Sequence, residues 1–288
     1  MKKILIILSS LLFIATLSAE SWSKAVNISL NVNQNEYSDN WAGDDMGSIS
    51  WALNANLLAE KQISTKLHNK NTLKLAFGQT HSQIRYVNAD STTGKKWAKP
   101  DKTTDIIDFE SMLRFTIGFV VDPYTSFRWE SQFIDRRGRE VKNLNPNIFT
   151  ESVGISRMFI KEKNKELSTR LGVAFKQYLD GYKNESTSDG GLEFVGEYKS
   201  LLLNNVVDYN TKLILFKALF YSLSDGESNP AYTPNWEVIR LNWEHLFSFS
   251  ITKLIDLNLY FKLIYDERSI EELQFRETLG LGLSYKLF

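Results

Sequence analysis

Ile107-Asp108-Phe109-Glu110-Ser111-Met112-Leu113-Arg114-Phe115-Thr116-Ile117-Gly118-Phe119 decides the fold class. Large apolar side chains fall on Ile107, Phe109, Leu113, Phe115, Ile117 and Phe119, while Asp108, Glu110, Arg114 and Thr116 take the places between them. A period of two belongs to a β-strand, whose successive side chains leave opposite faces of the sheet. The stretch therefore reads as a ribbon with one apolar and one charged face, too long for the usual strand of a soluble sheet.

The same alternation recurs along the chain. Ile239, Leu241, Trp243, Phe247 and Phe249 alternate with Arg240, Asn242, Glu244 and Ser248. Similar runs centre on Val26–Val32, Ile49–Leu57, Leu73–Phe77, Phe127–Phe133, Phe149–Phe159, Leu167–Phe175, Leu192–Leu202, Val207–Leu215, Ile255–Leu263 and Leu279–Tyr285. About twelve strands result, and sustained helical spacing is almost nowhere found. A sandwich or a lipocalin-like barrel would alternate in the same way. Connection lengths separate the readings, because long linkers such as 34–46, 88–104, 135–147, 180–190 and 224–235 alternate with tight ones such as 121–124, 161–165, 204–205 and 250–253. Barrels of the outer membrane have long outer loops and short periplasmic turns. The expectation is an all-β, transmembrane, antiparallel up-and-down β-barrel of about twelve strands, with both ends in the periplasm. Tyr124, Tyr178, Tyr221, Trp236, Tyr265 and Tyr285, near strand ends, suit two interfacial girdles.

Residues 1–19 carry Lys2 and Lys3, an apolar run from Ile4 to Leu17, then Ser18 and Ala19, the succession of a cleaved secretory signal. Residues 20–288 then form one domain, since no linker or long repeat divides them. The chain has no cysteine, which excludes disulfides, thiolate metal sites and thiol nucleophiles. Lys plus Arg and Asp plus Glu number 34 each, so no bulk attraction to nucleic acid exists. No phosphate loop, zinc motif or calcium loop is present, and no cofactor is implied. Partners expected on these grounds are outer-membrane lipid, small polar solutes and, through the apolar-alternating C-terminal strand 281–288, the barrel-assembly machinery.

With the apolar rows toward lipid, the lumen receives charges of both signs. Asp108, Glu110, Arg114, Arg128 and Glu130, on two strands joined by a turn at Asp122-Pro123, form the best-placed cluster, and Arg240 and Glu244 form another. They read as a constriction, a polar-ligand site, or structural ion pairs that hold the barrel closed. Barrel hydrolases need a His and a Ser on one face of a strand, but His81 adjoins Ser82 and His245 precedes Ser248 by an odd step. Asp44 and Asp45, in an outer loop, and Asp101 with Asp105 remain as carboxylate pairs that could bind a cation or serve an enzyme, or simply form turns. A soluble periplasmic ligand-binding barrel is a further reading.

Asn40-Trp41-Ala42-Gly43 leading to Gly47-Ser48-Ile49-Ser50, then Lys102-Thr103-Thr104-Asp105-Ile106-Ile107-Asp108, Trp129-Glu130-Ser131-Gln132-Phe133 and Asn145-Pro146-Asn147-Ile148-Phe149 resemble the bacterial outer-membrane family termed domain of unknown function 3078. That resemblance spans the chain from about Asn31 and implies a barrel in the outer membrane without assigning an activity. Where the family carries a fuller Gly pair after Trp-Ala, this chain has Asp44-Asp45-Met46.

Overall fold

The computed structural model describes residues 22–37, 45–88, 93–183, 186–223, 237–252, 255–266 and 270–286, without the side chains of 270, 271 and 283–286. The proposed signal 1–19, Asp44, Trp236, Leu287 and Phe288 lie outside them. In chain order the strands are β1 (Ser23–Asn35), β2 (Ser48–Ser64), β3 (Leu67–Val87), β4 (Thr93–Trp97), β5 (Asp101–Phe115), β6 (Asp122–Ser131), β7 (Ile134–Asp135) and β8 (Lys142–Asn143). They continue as β9 (Asn147–Glu162), β10 (Lys165–Leu179), β11 (Thr187–Leu202), β12 (Val207–Tyr221), β13 (Arg240–Ser250), β14 (Ile255–Asp266) and β15 (Ile270–Lys286).

Twelve of these close an antiparallel barrel in the order β1-β2-β3-β5-β6-β9-β10-β11-β12-β13-β14-β15, with β15 returning to β1. Closure leaves no free sheet edge along the ladders, the solution that satisfies backbone groups in a lipid environment. All twelve strands expected from alternation exist. Two ends differ: Ile117 and Phe119 belong to the turn after β5, and Phe133 belongs to the loop after β6. Gly118 turns that connection with φ at +73°, a conformation open to glycine.

The ends of the barrel are unlike. Turns at Thr65-Lys66, 116–121, Lys163-Asn164 and 203–206 join strands at the turn end, where β1 begins and β15 finishes. At the loop end β3 runs on to Val87 and forms a ladder with β4, and the 132–146 connection contains the β7–β8 hairpin. The apolar rows face outward: Leu30, Val32, Val153, Ile155, Leu171, Val173, Leu279 and Leu281 are all more than 40% exposed. An exterior this apolar on every strand is a lipid-facing surface.

The girdle expectation fails at three positions. Tyr124 (1% exposed) and Tyr221 (3%) are buried, and Tyr178 accepts a hydrogen bond from the lumenal Arg240, so all three point inward. Tyr124 and Tyr178 share the even parity of Arg128 and Arg170 on their strands. At Tyr221 the phase is flipped by an extra residue, Leu219, opposite Gly190-Gly191. Charged side chains also stand in the outward rows: Glu151 opposite Phe175, Arg157 with its guanidinium 4.9 Å from the Phe159 ring, Lys217 opposite Leu192 and Glu277 opposite Phe261.

Candidate functional site: the lumen

Register explains why the lumenal charges meet as they do. Across β5 and β6, Asp108 stands opposite Glu130 and Glu110 opposite Arg128. Two facing carboxylates repel, and Arg128 answers both. It grips Asp108 with two hydrogen bonds, Nε to Oδ1 at 2.8 Å and Nη2 to Oδ2 at 2.7 Å, and lies 3.0 Å from Glu130 Oε1. The guanidinium fork matches a carboxylate in this bidentate manner.

With Arg128 so engaged, Glu110 turns across the lumen. It accepts from Arg170 Nη2 on β10 and, at 2.6 Å, from Lys212 Nζ on β12. Lys212 lies 3.5 Å from Glu197 on β11, and Glu197 accepts from Lys70 on β3 at 2.8 Å. The chain of alternating charge, Lys70–Glu197–Lys212–Glu110–Arg170, thus joins strands that stand five ladders apart around the wall. Each charge removed from water needs a partner of opposite sign, and none in this chain lacks one. Lys74 on β3 and Lys262 on β14 both bond Glu244, at 2.7 and 2.8 Å, with Lys74 4.9 Å from the Tyr260 ring centre.

A third tier lies toward the loop end. Arg240 Nη1 donates to Tyr178 Oη at 2.7 Å, and its Nη2 sits 2.8 Å from Asp189 as an ion pair without hydrogen-bond alignment. Arg240 and Lys176 lie 4.3 and 4.2 Å from the Phe216 ring centre, and that ring is 1% exposed. Beneath Arg170, Tyr124 stands opposite Gly154 and its hydroxyl reaches Gly172; a Cβ on Gly172 would lie 2.7 Å from the tyrosine oxygen and 2.5 Å from the Val153 carbonyl.

The lumen is therefore filled on one side only. Aromatic and charged side chains of β5, β6 and β9–β12 occupy it, whereas β1, β2 and β15 contribute small polar side chains such as Asn27, Ser29, Asn31, Asn54, Asn56 and Thr278. A cavity of about 530 Å³ remains along that thin-lined side, bounded inward by Lys70, Lys74, Glu197, Lys212 and Glu244. Its size matches sites for small molecules.

Of the residues singled out in the sequence, Asp108, Arg128 and Glu130 form one cluster, and Glu110 belongs to the cross-lumen chain. Arg114 lies apart, 3.8 Å from Asp122, and Arg240 and Glu244 sit in two separate tiers. Asp45 is exposed. Asp101 and Asp105 are strand residues rather than a loop pair. Asp105, 2% exposed at its side chain, accepts from Lys102 at 3.0 Å and from the backbone N–H groups of Phe133 and Ile134 at 2.6 and 2.9 Å. It thereby holds the loop after β6 against the outer flank, where Phe133 meets Phe77 edge-on.

That loop is built around residues the sequence did not single out. Arg137 binds Asp135 through Nε at 3.1 Å and Nη2 at 2.7 Å and reaches Asp180 at 3.1 Å; Asn145 donates to Asp135 at 2.7 Å and to Asp180 at 3.2 Å. The Arg137 hydrogen bonds, aided by the Asn145 amide, hold the Asp135 carboxyl down at about 2 despite its burial. Burial opposes the same shift at Asp180, and the Tyr182 N–H, Asn145 and Arg137 outweigh it and lower its pKa. Hydrogen bonding to Asp135 correspondingly raises Arg137. Among the described residues no group of three or more His, Cys, Asp or Glu is placed to hold a metal. Lys74 was legible in the alternation Thr72-Leu73-Lys74-Leu75 of β3; the Asp135–Asn145–Asp180 knot had no periodic signal.

Fold and lumen together define a transmembrane-type twelve-stranded β-barrel with an ion-paired interior. No family model matches the chain, and no curated protein matches it. Solved structures similar to it include an outer membrane channel from Pseudomonas putida F1, at 11% identity and a TM-score of 0.40 over 94% of this chain and 97% of that one. The translocator domain of the autotransporter NalP from Neisseria meningitidis is similar at 10% identity and a TM-score of 0.36, covering 96% of this chain and 92% of that one. OprB from Pseudomonas putida is similar at 7% identity and a TM-score of 0.28, over 97% and 95% of the two chains.

Proposed function

We propose that this chain is an integral barrel of the bacterial outer membrane, its loop end outward and its turn end in the periplasm, and that it forms a narrow, offset path for small polar solutes. The observation that carries the reading is the one-sided lumen. Ion pairs span the interior, yet about 530 Å³ stays open beside β1, β2 and β15. Asparagine and threonine side chains on that path offer donors and acceptors without net charge, and Lys74, Glu244 and Lys262 set a charged wall opposite. A solute there exchanges water for amide contacts at little cost.

Single-channel recording of refolded residues 20–288 in a planar bilayer tests this. Small discrete steps that grow when Lys74 and Glu244 are both replaced by alanine support the path. A folded barrel, confirmed by its gel shift on boiling, that passes no current in either form overturns it.

A further inference from the structure

The seam that closes the barrel is unlike its other ladders. β1 and β15 register only from Asn27↔Lys286 to Asn31↔Gly282, five residue pairs, against eight in the next shortest barrel ladder, β5–β6. On its other flank β1 stays laddered to β2 through Asn35↔Ser48, and β15 stays laddered to β14 from Leu283 back to Ile270. Val32–Asn35 and Thr278–Leu281 thus face each other across the seam without a ladder. Within an apolar layer, such a gap leaves backbone donors and acceptors that need other partners.

Three features converge on the gap. Its flanks are apolar outside, since Val32, Phe275, Leu279 and Leu281 are 56, 60, 64 and 57% exposed. Its inner side opens on the cavity, because Asn31, Arg276, Thr278 and Gly280 line that space. Arg276 is exposed, and among the described residues it has no carboxylate partner, in contrast to the paired lumenal cations Lys70, Lys74, Lys212 and Lys262.

We propose that the unladdered part of the β1–β15 seam is a lateral portal through which a single-chain anionic amphiphile of the fatty-acid class moves between the bilayer and the lumenal cavity, its carboxylate meeting Arg276. The inference rests on the reading of the chain as a membrane-spanning barrel. An apolar tail can slide between the Leu- and Phe-lined edges, and the Arg276 guanidinium, which among the described residues pairs with no carboxylate, supplies a positive charge where the cavity meets the seam. Polar solutes using the axial path would have no need of the gap.

The test uses the absence of cysteine. Val32→Cys and Leu281→Cys, placed opposite each other by extending the seam register, are joined by a short bis-maleimide in the barrel reconstituted into phosphatidylcholine nanodiscs. A sixteen-carbon fatty acid carrying a diazirine is the probe, and its adducts are mapped by mass spectrometry. The expected result is adducts on lumenal residues such as Asn31, Tyr260 and Thr278. These adducts should disappear on cross-linking, persist in the unlinked double variant, and fall about tenfold in Arg276→Gln, the loss set by one charged hydrogen bond. Adducts restricted to outward residues, or lumenal adducts indifferent to cross-linking, overturn the portal. Carbonate extraction of the same sample separates the two levels: a barrel that stays in the lipid but gives no lumenal adducts refutes the portal alone, and one that washes out refutes the membrane reading with it.

Discussion

Glu110→Gln should be the most damaging isosteric change in the lumen. The Glu110 and Arg170 side chains are 8 and 9% exposed, so water screens their pair little, and Glu110 also bonds Lys212. Removing the negative charge leaves Arg170 and Lys212 together in a closed space, with Glu197, 3.5 Å from Lys212, already committed to Lys70. Loss of one partner from a buried pair costs about 3 to 5 kcal/mol. Urea unfolding of the barrel in lipid vesicles, followed by tryptophan fluorescence and by gel mobility, reads this as a lower midpoint at constant slope. Adding Arg170→Met should recover a large part of the loss, because the uncompensated cation is then gone. If Glu110→Gln lies within about 0.5 kcal/mol of the parent, the cross-lumen chain is a solvated arrangement and the reasoning fails.

Three further outcomes follow from the same geometry. The Asp135 carboxyl is held at about 2 when folded and would titrate near 4 when unfolded, so its contribution is complete above pH 4 and is lost as pH falls through 2; the stability gap between parent and Asp135→Asn should close over that interval, and a gap that does not vary with pH would refute the assignment. Gly172→Ala should destabilise by roughly 1 to 3 kcal/mol, since its methyl meets both the Tyr124 hydroxyl and a backbone carbonyl, whereas Gly118→Ala, with nothing within 4 Å, should lose only about 1 kcal/mol from its positive φ. Glu244→Gln leaves Lys74 and Lys262 unbalanced beside the open path, so reversal potentials in a salt gradient should shift toward anion preference; an unchanged potential would place the path elsewhere.

Much of this barrel was legible in the alternation. Each strand showed its outward face through residues such as Val153 and Ile155 or Leu171 and Val173, and the same parity sent Asp108, Arg128, Arg170 and Glu197 inward. Partners across the lumen were not legible, because Glu110 meets Lys212 only after closure fixes stagger, and sequence spacing carries no record of that. Tyr124 and Tyr178 stand near strand ends, as girdle residues do, but share the even parity of Arg128 and Arg170, and that parity turns them inward. Tyr221 needed the bulge at Leu219, which alternation cannot announce. The Asp105 anchor and the Asp135–Arg137–Asp180 knot hold irregular backbone, and irregular backbone has no period to read.

The central claim, that odd-numbered residues of β1 face the lumen and even-numbered ones face the bilayer, is tested by spin labels on single cysteines at each position from Ala25 to Val32. Oxygen, enriched in hydrocarbon, should relax labels at Val26, Ile28, Leu30 and Val32, and a water-soluble nickel chelate should relax those at Ala25, Asn27, Ser29 and Asn31. An alternation of opposite phase, or equal access of both relaxants along the whole strand, would contradict the account.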